Sequence, residues 1–115
     1  MSKLLEVVIK SLDDKLAQDI VVLDMNGVSP ILDYYVICNG TSDRQLKAIA
    51  TSCKKETEAA GFNVEKVEGL GAKGWVLVDV GDIVVHIFSE DERAKYNLEK
   101  LWGEVPRVDI TELVK

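Results

Sequence analysis

At 115 residues, 47% of them hydrophobic and 30% charged, the chain has the size of one domain, with apolar surface enough for a core without metal or disulfide staples. This composition excludes a disordered chain, and no apolar run approaches the roughly 20 residues that cross a bilayer. With 14 Lys and Arg against 20 Asp and Glu, the net charge of −6 argues against a protein that works mainly by gripping phosphates, and favours a basic protein as partner.

The start, Met1-Ser2-Lys3-Leu4-Leu5-Glu6, has an early acid and no small-residue cleavage site, unlike a signal peptide, so the expected compartment is the cytoplasm. Apolar residues at Leu5, Val8, Ile9, Leu12 and Leu16 predict a helix over roughly 3–17. A short buried strand follows at 19–24. Met25-Asn26-Gly27 turns the chain, and Ser29-Pro30 keeps the next loop non-helical. Residues 34–39 form a second strand, rich in aromatic and β-branched side chains. Ser42 and Gln45 have capping-box spacing and open a helix with Leu46, Ile49, Ala50, Cys53, Thr57 and Ala60 on one face. Gly61 stops it. Residues 62–68 predict a weaker strand, and Gly69, Gly71 and Gly74 a flexible connection.

The segment 74–88 reads GWVLVDVGDIVVHIF. Gly81 suits the first central position of a type II′ turn, so Val80 pairs with Ile83, Val78 with Val85 and Val76 with Ile87. That face is entirely aliphatic and belongs under helices. The opposite face pairs Asp79 with Val84, Leu77 with His86 and Trp75 with Phe88. Aromatic anchors mixed with a few polar groups are typical of a partner surface, although a C-terminal helix bearing Leu98, Leu101 and Trp102 could cover it. Ser89 and Glu92 form a second capping box, opening that helix through about Trp102. The order is α-β-β-α-β-β-β-α, which predicts a single α/β domain over 1–115: a mixed five-stranded sheet with flanking helices, mostly on one side.

Cys38 and Cys53 have no CxxC or Cys/His neighbour, so they read as buried thiols, with no metal or cofactor expected. His86 sits mid-strand without a nucleophile at motif spacing, which suits an interface or hydrogen-bonded histidine better than acid–base work. The acids Glu90-Asp91-Glu92 read as a solvated helix start. A magnesium-dependent nucleotidyltransferase-like enzyme is the main alternative class. Gly40-Thr41-Ser42 before a helix could hold phosphate, and Asp79 with Asp82 could hold magnesium. Two-metal transfer needs converging carboxylates, however, and these two acids flank a turn. An adaptor for some other basic protein is a third reading.

Three stretches resemble a known family: LDYYVICNGTSDRQ at 32–45, the hairpin at 74–88, and ERAKYNLEKLWG at 92–103. In order, they are similar to the Iojap/RsfS pattern of ribosomal silencing factors: an Asp-aromatic-aromatic strand, a Gly-Thr-Ser turn, a Gly-Trp start, an Asp-x-Gly-Asp turn and a Tyr-x-Leu-Glu-x-Leu-Trp helix. The resemblance implies a nucleotidyltransferase-like fold without catalysis. It also implies binding to a basic protein of the large ribosomal subunit, protein fourteen, on the intersubunit face, which obstructs joining of the small subunit and represses translation. A homodimer is implied too, and little direct nucleic-acid binding is expected. On this reading Trp75 and Leu77 are apolar anchors, Asp79 and Asp82 pair with Lys or Arg, and Tyr34 and His86 contribute from neighbouring positions.

Overall fold

The computed structural model describes residues 2–71, 74–96 (Tyr96 by its backbone alone), 100 and 103–114. Its elements are α1 (Lys3–Asp14), β1 (Gln18–Asp24), β2 (Tyr34–Gly40), α2 (Asp43–Ala59), β3 (Lys66–Glu68), β4 (Trp75–Asp79), β5 (Ile83–Ser89) and α3 (Glu90–Tyr96). The expected order holds. The far end of the expected last helix, with Leu98, Leu101 and Trp102, lies outside the described residues.

The five strands form one mixed sheet in the order β1-β2-β5-β4-β3. β2 and β5 run parallel at its centre, and the other pairs are antiparallel. The hairpin register is the one its turn predicts: Val78 lies opposite Val85, and Val76 opposite Ile87. The Val80 amide donates to the Ile83 carbonyl at 3.0 Å, and Gly81 has φ +93°, as a II′ turn requires. The aliphatic face, from Val76 to Ile87, is buried with Val22, Val36 and Cys38 beneath α1 and α2. These helices contribute Leu5, Val8, Ile9 and Leu12, and Leu46, Ile49, Ala50 and Cys53. Burial pushes the Cys38 thiol up to about 12 and raises that of Cys53, so both stay protonated and pack as small hydrophobes.

Both long helices end in the same motif, with different residues in the left-handed position. At the end of α2, the Gly61 amide donates to the Glu58 carbonyl at 3.0 Å and the Phe62 amide to Thr57 at 3.1 Å, with Gly61 at φ +91°. At the end of α1, the Leu16 amide donates to Asp13 at 2.9 Å and the Ala17 amide to Leu12 at 3.1 Å, with Leu16 itself at φ +63°. This double bond pattern is the Schellman motif. It stops α1 before the predicted end and leaves Leu16, expected on the apolar face, 75% exposed. Two further expectations change. Ala60 is exposed at the end of α2, and the strand expected over 62–68 shrinks to Lys66–Glu68.

The free edge of β1 is covered by the C-terminal segment. The Val108 amide donates to the Val22 carbonyl at 2.9 Å, and the Asp24 amide to Pro106 at 2.8 Å. Arg93, in α3, ties that helix to the sheet. Its Nη1 donates to the Asp19 carbonyl at 2.6 Å and to Asn39 Oδ1 at 2.7 Å. Asp19 has φ +49° at an irregularity in the β1 register, a conformation that Asp tolerates better than most residues. Replacing Arg93 with Ala leaves the buried Asn39 oxygen without this donor. The expected loss is about 2 kcal/mol, the cost of stranding a buried polar group, read as a lower urea midpoint with an unchanged slope.

Candidate functional site

The sheet face opposite α1 and α2 is built from alternate residues of all five strands. Cross-strand pairing puts Lys66, Asp79, Val84, Tyr35 and Leu23 in one row. Glu68, Leu77, His86, Ile37 and Val21 form the next, and Trp75, Phe88 and Asn39 the third. On the β1 side this face is a small second core of Leu23, Met25, Ile37 and Phe88, against which Leu32, Tyr35 and Val105 pack. Toward β4 it opens, and there Trp75 is 40% exposed while Leu77 and Asp79 are half-buried.

The boundary between the closed and open parts is a stack of rings. Tyr35 lies on His86 with centroids 4.7 Å apart, Trp75 lies 5.6 Å from His86, and Trp75 and Phe88 are 5.7 Å apart. All three pairs are within 20° of parallel, in offset arrangements that suit the ring quadrupoles. The Trp75 indole Nε1 donates to His86 Nδ1 at 3.0 Å. An indole N–H can only donate, so Nδ1 must be unprotonated. Burial lowers the His86 pKa to about 4, and the imidazole is neutral at physiological pH. Burial also raises the Tyr35 hydroxyl to about 12.

The backbone around Trp75 is held from several sides. The Gly74 amide donates to Asp43 Oδ1 at 2.9 Å, at the first turn of α2. The Ser89 amide donates to the Gly74 carbonyl at 2.9 Å. Gly69, at φ +87°, crosses so near that an added Cβ would lie 2.4 Å from the Trp75 carbonyl oxygen. Only glycine fits there.

Four of the residues expected to form a contact surface share this side or its corner at least partly exposed, while His86 is buried on it and Tyr34 lies on the other side. Trp75, Leu77 and Asp79 lie along one face of β4, and Asp82 is exposed at the turn beyond. The Asp82 carbonyl accepts from the Asp33 and Tyr34 amides at 2.7 and 3.3 Å, which fixes the turn to the start of β2. Tyr34 pairs with Ile83, so it lies on the helix-covered side and packs against the main core. His86 is on the expected face but only 7% exposed, where it accepts the Trp75 indole hydrogen bond. Tyr35 and Phe88 complete the stack. Their roles depend on β2 lying beside β5, a parallel neighbour that no local pattern announces.

The arrangement suits binding better than phosphoryl chemistry. Asp79 Oδ1 accepts the Gly81 amide at 2.9 Å and so belongs to the turn. At the Gly40-Thr41-Ser42 turn, Gln45 Oε1 accepts the Thr41 amide at 2.6 Å and occupies the donor a phosphate would need. The Gln45 amide nitrogen bonds the carbonyls of Lys15 and Leu16, each at 3.2 Å. The expected capping box is thus half-kept. Ser42 Oγ accepts the Gln45 amide at 3.1 Å, but the Gln45 side chain braces the end of α1 instead of reaching back to Ser42.

A compact sheet-and-helix domain with a braced aromatic face and a rim of acids defines a small binding module. Comparison with known proteins gives it a family. The family model described as "Ribosomal silencing factor during starvation" matches residues 1–115. The chain is 50% identical over 107 residues to the ribosomal silencing factor RsfS of Bacillus subtilis, covering 93% of this chain and 91% of that one. A crystal structure from Bacillus halodurans, 45% identical, superposes with a TM-score of 0.81 over 93% of this chain and 97% of the other. The mouse protein "Mitochondrial assembly of ribosomal large subunit protein 1" is 33% identical over 85% of this chain, which spans 44% of the mouse protein. The chain belongs to the ribosomal silencing factor family, whose members are regulators and not enzymes.

The neutral His86 carries a pH dependence. Its folded pKa of about 4 lies below the ordinary 6.5. Between these values the unfolded chain binds a proton that the folded one refuses, so stability is full above 6.5 and falls as pH drops toward 4. The expected loss is about 3 kcal/mol over that window, at about 1.36 kcal/mol for each tenfold difference in proton affinity between the folded and unfolded chain. Urea midpoints of the wild type and His86→Gln should diverge with pH, the variant lacking this share of the slope. Parallel curves would mean that His86 does not titrate as placed.

Proposed function

We propose that this protein silences the ribosome by docking its open sheet face on a basic protein of the large subunit, so that the small subunit is sterically prevented from joining. The observation that carries this reading is the row Trp75, Leu77 and Asp79 on β4, with two apolar anchors and an acid side by side. A braced, partly exposed Trp beside a buried aromatic support is the kind of residue that dominates binding energy. Asp79 and Asp82, in a chain of net charge −6, complement Lys and Arg on the partner. The Iojap/RsfS resemblance supports large-subunit protein fourteen as that partner and the cytoplasm as the place, and the mouse relative carries the large subunit in its name.

The size is adequate. A standard interface takes about 800 Å² from each partner. The exposed surface here totals 6579 Å², so one sheet face with its rim suffices. The mechanism is occupancy, and the binding surface does all the work.

The test is subunit joining followed by sedimentation. Trp75→Ala should weaken large-subunit binding by roughly 30-fold or more, the effect of removing a hot spot worth at least about 2 kcal/mol. Asp79→Asn keeps an oxygen for the Gly81 amide and removes only the charge, so it should slow association. Asp79→Lys should abolish the block. If Trp75→Ala and Asp79→Lys both bind large subunits and prevent joining as the wild type does, the docking face lies elsewhere.

A further inference from the structure

The other side of the molecule carries a cluster of cations on α2. Between residues 43 and 55, α2 carries Arg44, Lys47, Lys54 and Lys55 with Asp43 as the acid of that stretch, and its last turn adds the exposed Glu56 and Glu58. Asp43 is engaged, since its carboxylate accepts the Gly74 amide. The four basic side chains are exposed, as is Thr51 among them. With Thr51, their offsets of three, four and seven residues bring them to one outward ridge of the helix, which Glu58, four residues past Lys54, closes at its C-terminal end. From Arg44 to Lys55 the ridge runs about 16 Å, at 1.5 Å per residue. Lys15, just past the end of α1, joins it. Lys15, Lys47, Thr51, Ser52 and Lys55 line a shallow groove of ≈ 420 Å³ in which Glu56 is the only acid. None of these five basic residues is ion-paired among the described residues, where the ion pair is Lys66 with Glu68.

An acidic chain thus gathers unpaired cations on one stretch of one helix. We propose that the outward ridge of α2, with Lys15, holds an RNA phosphate backbone. Cations spaced along one helix, with the Thr51 and Ser52 hydroxyls between them, match the spaced anions and acceptor oxygens of one strand. No side chain of the ridge offers an aromatic platform, and the deep, narrow major groove of A-form RNA keeps Arg44 and the lysines off the base edges, so the contact is independent of sequence. Because α2 packs on the face opposite Trp75, both contacts can be made together, one to protein and one to RNA. The net charge of −6 describes the average of the surface. The 44–55 stretch of α2, with Lys15 beside it, departs from that average.

The test measures the full chain with a fluorescent A-form RNA duplex of about 16 base pairs, a length that a small domain can span. Anisotropy is recorded across a salt series from about 50 to 200 mM. The wild type should bind saturably at low salt. Lys47→Glu/Lys55→Glu should bind at least 10-fold more weakly, with a salt slope smaller by about 2, one for each phosphate contact removed. Lys3→Glu/Lys100→Glu, an equal charge change outside α2, should bind as the wild type does. Circular dichroism confirms that each variant is folded. No saturable binding by the wild type, an unaffected Lys47→Glu/Lys55→Glu variant, or an equal loss in the Lys3→Glu/Lys100→Glu variant overturns the proposal. So does poly-glutamate of matched charge competing as well as unlabelled duplex, since the ridge would then serve an acidic protein. The duplex contains no ribosomal protein, so failure here is distinct from failure of the docking face at Trp75.

Discussion

The two-residue turn at Gly81-Asp82 is the constraint on which the other features rest. It pairs Val80 with Ile83, and that pairing sets every later residue of the hairpin. Because side chains alternate along a strand, a slip of one residue would exchange the two faces. In the observed register, six aliphatic side chains meet α1 and α2, and Trp75, Leu77 and Asp79 are delivered to the other side together. Asp79 reinforces the turn by accepting the Gly81 amide, and the Asp82 carbonyl anchors it to β2. The core and the open aromatic face are therefore two consequences of one register.

On the open face, the buried partners of Trp75 matter as much as its exposure. An indole that stacks on neighbouring rings and donates to His86 has few conformations left to lose on binding. The brace depends on a neutral imidazole, and burial secures that. Gly69 and Asp43 hold the backbone on either side. On the proposed docking, affinity would depend on residues that never touch the partner. This explains why the single histidine of an acidic regulator sits beneath the site, where its proton affinity is suppressed.

Charge is arranged with the same division. Asp79 and Asp82 mark the hairpin end of the sheet face, while the 44–55 stretch of α2 turns its cations outward on the far side. Net charge governs solubility and the sign of the distant field, but a partner at contact distance meets one face at a time. A silencing protein held between a basic protein and a phosphate backbone would be oriented as well as bound.

Much of this was legible in the residues. The element order, the apolar faces of the two long helices, the hairpin register and the burial of both cysteines all follow from local periodicity and turn chemistry. Those signals act over a few residues, so they survive without knowledge of the fold. The family resemblance rested on ordered motifs of the same local kind. The errors fall where distant segments decide. Leu16 fits the apolar period, yet the Schellman bonds turn it outward and Gln45 braces the carbonyls there from another helix. Tyr34 and Tyr35 look alike in the chain. Only the parallel pairing of β2 with β5 puts the first under the helices and the second on the histidine. His86 is visible as a polar residue on a mixed face, but its burial comes from Tyr35 and Trp75 closing over it. By itself, the sequence determined which residues share a strand face with Trp75. The tertiary structure decided which of them remain open to a partner, because exposure depends on which strands and segments come to lie alongside.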